Sequence, residues 1–238
     1  MPSRAPVVLF DLDGTLADPG TSIVSSVVRA LELLGEPVPP AHLLRGFVGP
    51  PLVDTFAGLG LSAGRVDRAI ELYRAHFDAE GIRLYRPYLG MPALVDDLRA
   101  AGVTVGIATS KPTQIAGRVL DVMGWRPGFD VLAGATMDSS RSAKADIIAL
   151  ALDELSARGH RADVAVMVGD RRHDIAGAHA HGLSAVGVTW GYGDPGELLA
   201  AGADRIVDDS AALDRVLTDL LAGRTPTAVT GRGVRLHG

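Results

Sequence analysis

Cysteine is absent from the 238-residue sequence. That excludes disulfides, thiolate catalysis and zinc-thiolate sites, and it is compatible with a reducing cytoplasm. An excess of positive charge is lacking as well. With a formal net charge of -5, no strong positive field exists to hold nucleic acid or an anionic membrane by counterion release. Any anionic substrate must therefore be held by local groups. Long apolar runs are missing too: Met1 to Pro6 do not form a signal peptide's apolar stretch, and Val7 to Phe10 is far too short to span a bilayer. The expectation is a cytoplasmic protein with neither nucleic acid nor membrane as a partner. No internal repeat is visible. What is present, 47% hydrophobic and 21% charged residues, is enough for a buried core in one domain, or one domain plus an insertion.

Short apolar runs rich in Val and Ile alternate with longer amphipathic stretches, the pattern of strands and crossover helices in a parallel sheet. The clearest runs are Val7 to Phe10, Val103 to Ala108, Val164 to Val168 and Ala185 to Val188, with Phe129 to Ala133 and Arg205 to Val207 as weaker ones. The first three end in polar clusters: Asp11 to Thr15, Thr109 to Lys111, and Gly169 to Asp174. Ligands of open parallel sheets bind at the carboxyl ends of strands, so these clusters can meet in one crevice. About ninety residues separate the first strand from the second, far more than a crossover helix requires. Within them, Ile23, Val27, Val28, Leu31 and Leu34, and again Val66, Ala69, Ile70, Tyr73 and Phe77, recur at helical spacing. Asp18 before Pro19 reads as an N-cap, and Gly35 with Pro37 as a stop. A helical insertion is expected over residues 16–87. Residues 223–238, with Arg224, Arg232 and Arg235 and almost no apolar pattern, are expected to form a disordered tail.

The chemistry-bearing residues lie at the strand ends. Asp11-Leu12-Asp13-Gly14-Thr15 puts two carboxylates two residues apart, an arrangement that raises a pKa unless a cation offsets the repulsion. Oxygen ligands without Cys or a His cluster suit magnesium better than zinc. Asp-x-Asp-Gly is also a turn sequence and occurs in calcium loops, but the further ligands and closing glutamate of an EF-hand are missing here. Gly169-Asp170 and Asp174 form a second acidic cluster, which taken alone is equally a helix start that uses acids to complement its dipole. Thr109-Ser110-Lys111-Pro112 ends a strand and begins a helix, where hydroxyls and backbone N–H groups can meet an anion or simply cap the helix. Lys144 opens another helical run and can bring a positive charge to a phosphate.

In combination, strand-Asp-x-Asp-Gly-Thr, strand-Thr, Lys and strand-Gly-Asp-x-x-x-Asp resemble the haloacid dehalogenase superfamily. Phe47-Val48-Gly49-Pro50-Pro51-Leu52, Ala108 to Pro112 and Thr189-Trp190-Gly191-Tyr192-Gly193 are similar to its phosphoglycolate phosphatase-like branch. The resemblance, covering residues 6 to about 222, implies an α/β fold: a Rossmann-like core with a parallel sheet, 1–15 and 88–222, and an all-helical C1-type cap, 16–87. It makes Asp11 the nucleophile that forms an aspartyl-phosphate and Asp13 the general acid and base. Magnesium is then bound by Asp11, Asp170 and the Asp13 main-chain carbonyl, with Asp174 close behind. Thr109, Ser110 and Lys144 hold the phosphoryl group of a small phosphorylated substrate. Arg45, Gly49 and Pro50 are the cap's candidates for substrate selection.

Two departures from the branch are visible. The motif lysine stands in Lys144-Ala145-Asp146 rather than Lys-Pro-x-Pro, and Pro19 replaces a common serine. Three functions stay open at this point: a small-molecule phosphatase; a phosphotransferase, whether a sugar-phosphate mutase or an enzyme of protein tyrosine; and a non-catalytic regulatory module. Retention of all the acids speaks against the last.

Overall fold

A computed structural model of the chain describes residues 5–48, 52–138, 140–160 and 163–223. In chain order the elements are β1 (Val7–Phe10), β2 (Ala17–Asp18), α1 (Gly20–Leu34), α2 (Ala41–Leu44), α3 (Leu52–Gly58), α4 (Ala63–Ala79), β3 (Arg86–Pro87), α5 (Met91–Ala100), β4 (Thr104–Pro112), α6 (Thr113–Val122), β5 (Val131–Ala135), α7 (Lys144–Ala157), β6 (Ala165–Gly169), α8 (Arg172–Ala180), β7 (Ser184–Val188), α9 (Pro195–Ala200), β8 (Arg205–Val207) and α10 (Ser210–Leu221). The expected disordered tail lies outside the described residues apart from Gly223.

Six strands form one parallel sheet in the order β5-β4-β1-β6-β7-β8. β1 sits inside it, with Val7 opposite Thr104 on one side and Ala165 on the other. Side chains alternate across a strand. Val8, Phe10, Val105, Ile107, Val166 and Val168 accordingly face α5, α6 and α10, whereas Val7, Leu9, Met167 and Ala185 face α7, α8 and α9. Helices on both faces explain why the strands read as continuous apolar runs rather than alternating ones.

Helices α1–α4 form the insertion after β1. The apolar stripe of α4, Val66, Ala69, Ile70, Tyr73 and Phe77, is buried throughout, and it packs with Ile23, Val27 and Leu31 of α1. Two chain passages join this layer to the sheet, and they pair as a short antiparallel ribbon, Ala17 with Pro87 and Asp18 with Arg86. Gly35 ends α1 in the left-handed conformation at φ 69°, as expected of a C-terminal glycine. The expected N-cap is displaced by one residue. Pro19 occupies the cap position, and Asp18 Oδ1 accepts a hydrogen bond from the Gly20 N–H at 2.8 Å.

Strand β4 runs further than its apolar stretch. Its register against β5 shifts between Thr109 and Pro112, and Pro112 still pairs with Ala135. Ser110 and Lys111 are therefore on a strand end, and α6 begins only at Thr113. Thr109 and Ser110 thus flank the cleft from a strand rather than from a helix N-terminus.

Candidate active site

The ends of β1, β4 and β6 meet in a cleft of about 590 Å³ that includes Asp11, Asp13, Thr109, Ser110, Lys144, Asp170 and Asp174 in its walls. Asp11 leaves β1 with its N–H on the Val168 carbonyl at 2.9 Å. Glycines allow the carboxylates to crowd. Gly14 has φ 85°, and a Cβ there would lie 2.3 Å from Asp170 Oδ2; one on Gly191 would lie 2.4 Å from the same atom. Gly14→Ala combines a conformation L residues avoid with a clash against a buried carboxylate. It is expected to cost about 2–3 kcal/mol from strain alone, visible as a lower urea midpoint in the absence of metal.

The Thr189–Gly193 segment supports the site. The Tyr192 N–H donates to Asp170 Oδ2 at 2.8 Å, the Trp190 indole donates to the Thr15 carbonyl at 3.0 Å, and the Tyr192 hydroxyl donates to Asp18 at the base of the inserted layer.

Carboxylate oxygens of Asp11, Asp170 and Asp174 all lie within 4.8 Å of one another, and all three residues are buried. One cation answers them. Lys144 Nζ, on a side chain only 4% exposed, is 3.0 Å from Asp11 Oδ1 and 2.7 Å from Asp174 Oδ1, and donates to the Ala108 carbonyl at 3.0 Å. The two carboxylate contacts have ion-pair distance without hydrogen-bond alignment, so both oxygens remain without a directed donor. Burial opposes the Lys144 charge, but Asp11 and Asp174 outweigh it and push its pKa up. Burial, reinforced by Asp11 and Asp174, raises Asp170 to about 7. Asp174 rises to about 6, chiefly through burial, with Lys144 pulling it down and Asp11 pushing it up.

Three buried carboxyl groups share one ammonium, and the available donors are all hard oxygens. The residues fit a divalent cation of the magnesium type. Asp174, expected behind the ligands, belongs to the carboxylate cluster itself.

Asp13 turns elsewhere. Its Oδ2 is 2.7 Å from Lys111 Nζ, and the Tyr85 hydroxyl is near enough to favour the Asp13 charge without reaching hydrogen-bond geometry. Burial nevertheless raises the Asp13 pKa against the pull of Lys111, and Asp11 adds to the rise. Lys111 rests on two aromatic faces, 5.9 Å from the Phe77 ring centroid and 5.5 Å from that of Tyr85. Sequence reasoning noted Lys111 only as part of a polar cluster and read Phe77 only as a helix-stripe residue. The pairing with Asp13 brings together chain positions too far apart for local spacing to reveal.

The inserted layer contributes the opposite wall through Ile23, Phe47, Val48, Leu52, Val53, Ile70, Tyr73 and Phe77, with Arg74 and Asp78 as its polar members. Of the expected selection residues, Arg45 begins a 3₁₀ turn, Arg45–Phe47. Its side chain, like Gly49 and Pro50, lies outside what the structure describes. No helix among the described residues is long and apolar enough to cross a membrane.

A parallel α/β core carrying a helical insertion after its first strand, with acids at the ends of the neighbouring strands β1 and β6, defines a phosphatase-like hydrolase architecture. The chain belongs to the haloacid dehalogenase-like hydrolases, whose family model matches residues 8–188. It is 41% identical over 216 residues to a protein named tyrosine-protein kinase PtkA from Mycobacterium tuberculosis, covering 90% of this chain and 72% of that one. A protein from Pseudomonas aeruginosa named 5'-nucleotidase is 37% identical, over 90% of this chain and 96% of its own. The solved structure of the mycobacterial PtkA superposes with a TM-score of 0.74 at 40% identity, over 90% of this chain and 99% of that one. The superfamily resemblance carried by the motifs from Asp11 to Asp174 is thereby borne out.

Proposed function

We propose that the protein is a magnesium-dependent phosphomonoesterase that hydrolyses a small phosphorylated metabolite through a phosphoryl group carried on Asp11. The observation that carries this reading is the division of labour at the cleft floor. Two carboxylates two residues apart face different ammonium groups: Lys144 holds Asp11 among the acids, and Lys111 holds Asp13 apart from them.

An Asp11 oxygen bonds to phosphorus as the ester oxygen leaves, and Asp13 gives that oxygen its proton. Asp13, now a carboxylate, takes a proton from water as the water oxygen attacks phosphorus, which frees phosphate and restores Asp11. Burial raises the Asp13 pKa, the direction that suits a proton donor. Thr109, Ser110 and Lys144 meet the phosphoryl oxygens, whose charge spreads in a loose transition state. Magnesium, held by Asp11, Asp170 and the Asp13 carbonyl with Asp174 alongside, would neutralise charge on the same oxygens. Residues 16–87 act as the cap that excludes water from the first step.

The test is phosphate release from a panel of monoesters, with magnesium and with chelator. Release in water alone supports the hydrolase. Phosphate transfer seen only when a tyrosine peptide or sugar acceptor is added would favour the transferase reading, which the name of the mycobacterial relative suggests.

Magnesium also carries a pH prediction. Asp170 and Asp174 have folded-state pKa values raised to about 7 and about 6. Below their unfolded values they contribute no destabilisation; as pH rises through 6 and 7 without metal, their ionisation removes stability. Metal binding requires the ionised forms. The rise in melting temperature on adding magnesium is therefore expected to be large at pH 8 and small at pH 5.5, measured by scanning calorimetry.

A further inference from the structure

We infer that the leaving group of the substrate carries a planar, uncharged ring that lies on the cap wall of the cleft. This rests on the hydrolase reading above and narrows its substrate class. A phosphoryl group fills only a small part of about 590 Å³, and a cleft of that size suits a larger organic ligand. The cap side of the remainder is mostly apolar, with Arg74 and Asp78 as its polar members. Tyr73 and Phe77 are stacked, centroids 6.0 Å apart and planes 18° apart, and Phe47 stands edge-on to Phe56. Ile70 lies beside them in the wall, and Val53 adds an apolar side although the residue is 55% exposed.

Three of the four lysines and arginines in the lining are already paired. A short leaving group bearing a carboxylate needs a cation to offset its desolvation. Lys111 is committed to Asp13, Lys144 to Asp11 and Asp174, and Arg171 to Glu197 at 3.1 Å. Arg74, exposed on α4, is the lysine or arginine of this lining that has no ion-pair partner among the described residues. A neutral ring meets neither problem, and its burial against aromatic and aliphatic side chains is worth on the order of 100-fold in kcat/KM.

The experiment compares matched esters with magnesium, so that the acidity of the leaving alcohol is held nearly constant: 2-phenylethyl phosphate against ethyl phosphate, and adenosine 5'-monophosphate against ribose 5-phosphate. At least one ring-bearing member is expected to exceed its partner by 10-fold or more in kcat/KM, and the pair that does so identifies an aryl or a nucleoside leaving group. Val53→Asp, at an exposed position the fold tolerates, is expected to reduce that ratio several-fold. Asp11-dependent release with ratios near 1 would overturn this inference and leave the hydrolase reading standing. A high ratio untouched by Val53→Asp would overturn the placement of the ring. So would phosphoglycolate as the best substrate, lost on Arg74→Ala. Should no ester be hydrolysed, the hydrolase reading falls, and calorimetric binding of 2-phenylethylphosphonate against ethylphosphonate decides the ring seat: tenfold tighter binding supports it, and equal binding rejects it.

Discussion

Asp11→Asn is expected to lower phosphate release by about 1000-fold or more while leaving the melting temperature within a few degrees of the parent. The amide has nearly the same shape as the carboxylate, so packing at the end of β1 is retained. It cannot serve as a nucleophile toward phosphorus, and a covalent route has no second group of the same kind in place. Asp13 is paired with Lys111, and Asp170 is held by the Tyr192 N–H. Because the attacking oxygen of Asp11 bonds to the substrate only in the transition state, the loss should fall on kcat and kcat/KM together rather than on KM. Steady-state kinetics on the best monoester of the panel, with thermal denaturation of the same preparation, checks both halves.

The second large effect is on Lys144. Its ammonium is the buried cation between Asp11 and Asp174, so Lys144→Met keeps the bulk and leaves carboxylates without a counter-charge. Removing one partner of a buried ion pair typically costs about 3–5 kcal/mol, and that is the loss expected at pH 8 without metal. The loss should shrink at pH 5. Asp170 and Asp174 already have raised folded-state pKa values, about 7 and about 6, and without the ammonium Asp174 rises further. Groups raised in the folded state cost stability as pH climbs through their folded pKa, so the deficit of the variant grows from pH 5 to pH 8. Magnesium recovers part of it. Activity falls by about 100-fold or more even where the variant is folded, since the phosphoryl oxygens lose a charged contact. Urea titrations at the two pH values, with chelator and with magnesium, measure each part.

Much of this site was legible in the sequence because the parallel sheet obeys a simple rule. Strands β1 and β8 match their apolar runs, and the acids after β1 and β6 share a cleft because both strands end at the same edge. The helical insertion followed from chain length, since ninety residues cannot be a single crossover.

What was not legible depends on contacts between distant segments. Lys111 meets Asp13, Phe77 and Tyr85, one residue from a strand end and two from the inserted layer, and no local period links them. Asp174 appeared to stand behind the ligands because its position on a helix says nothing of how closely it approaches Asp11. That closeness depends on Gly169, where a Cβ would fall 2.2 Å from the Asp174 carboxyl carbon. Strand β4 outran its expected end because Ser110, Lys111 and Pro112 have no strand propensity and are held extended by their neighbour β5. The Trp190–Tyr192 segment was noticed as a motif, but its work, fixing Asp170 and the turn after β1, is visible only in three dimensions.

The covalent role of Asp11 is tested most directly by acid quenching of the enzyme during turnover with magnesium, followed by mass spectrometry of its peptides, in the wild type and in Asp13→Ala. A phosphoryl group is expected on the peptide that contains Asp11, present transiently in the wild type and accumulating in Asp13→Ala when the substrate is p-nitrophenyl phosphate, whose leaving group departs without a proton while the base for the second step is missing. Phosphate produced while that peptide stays unmodified, or a phosphoryl group found on a different peptide, would contradict it.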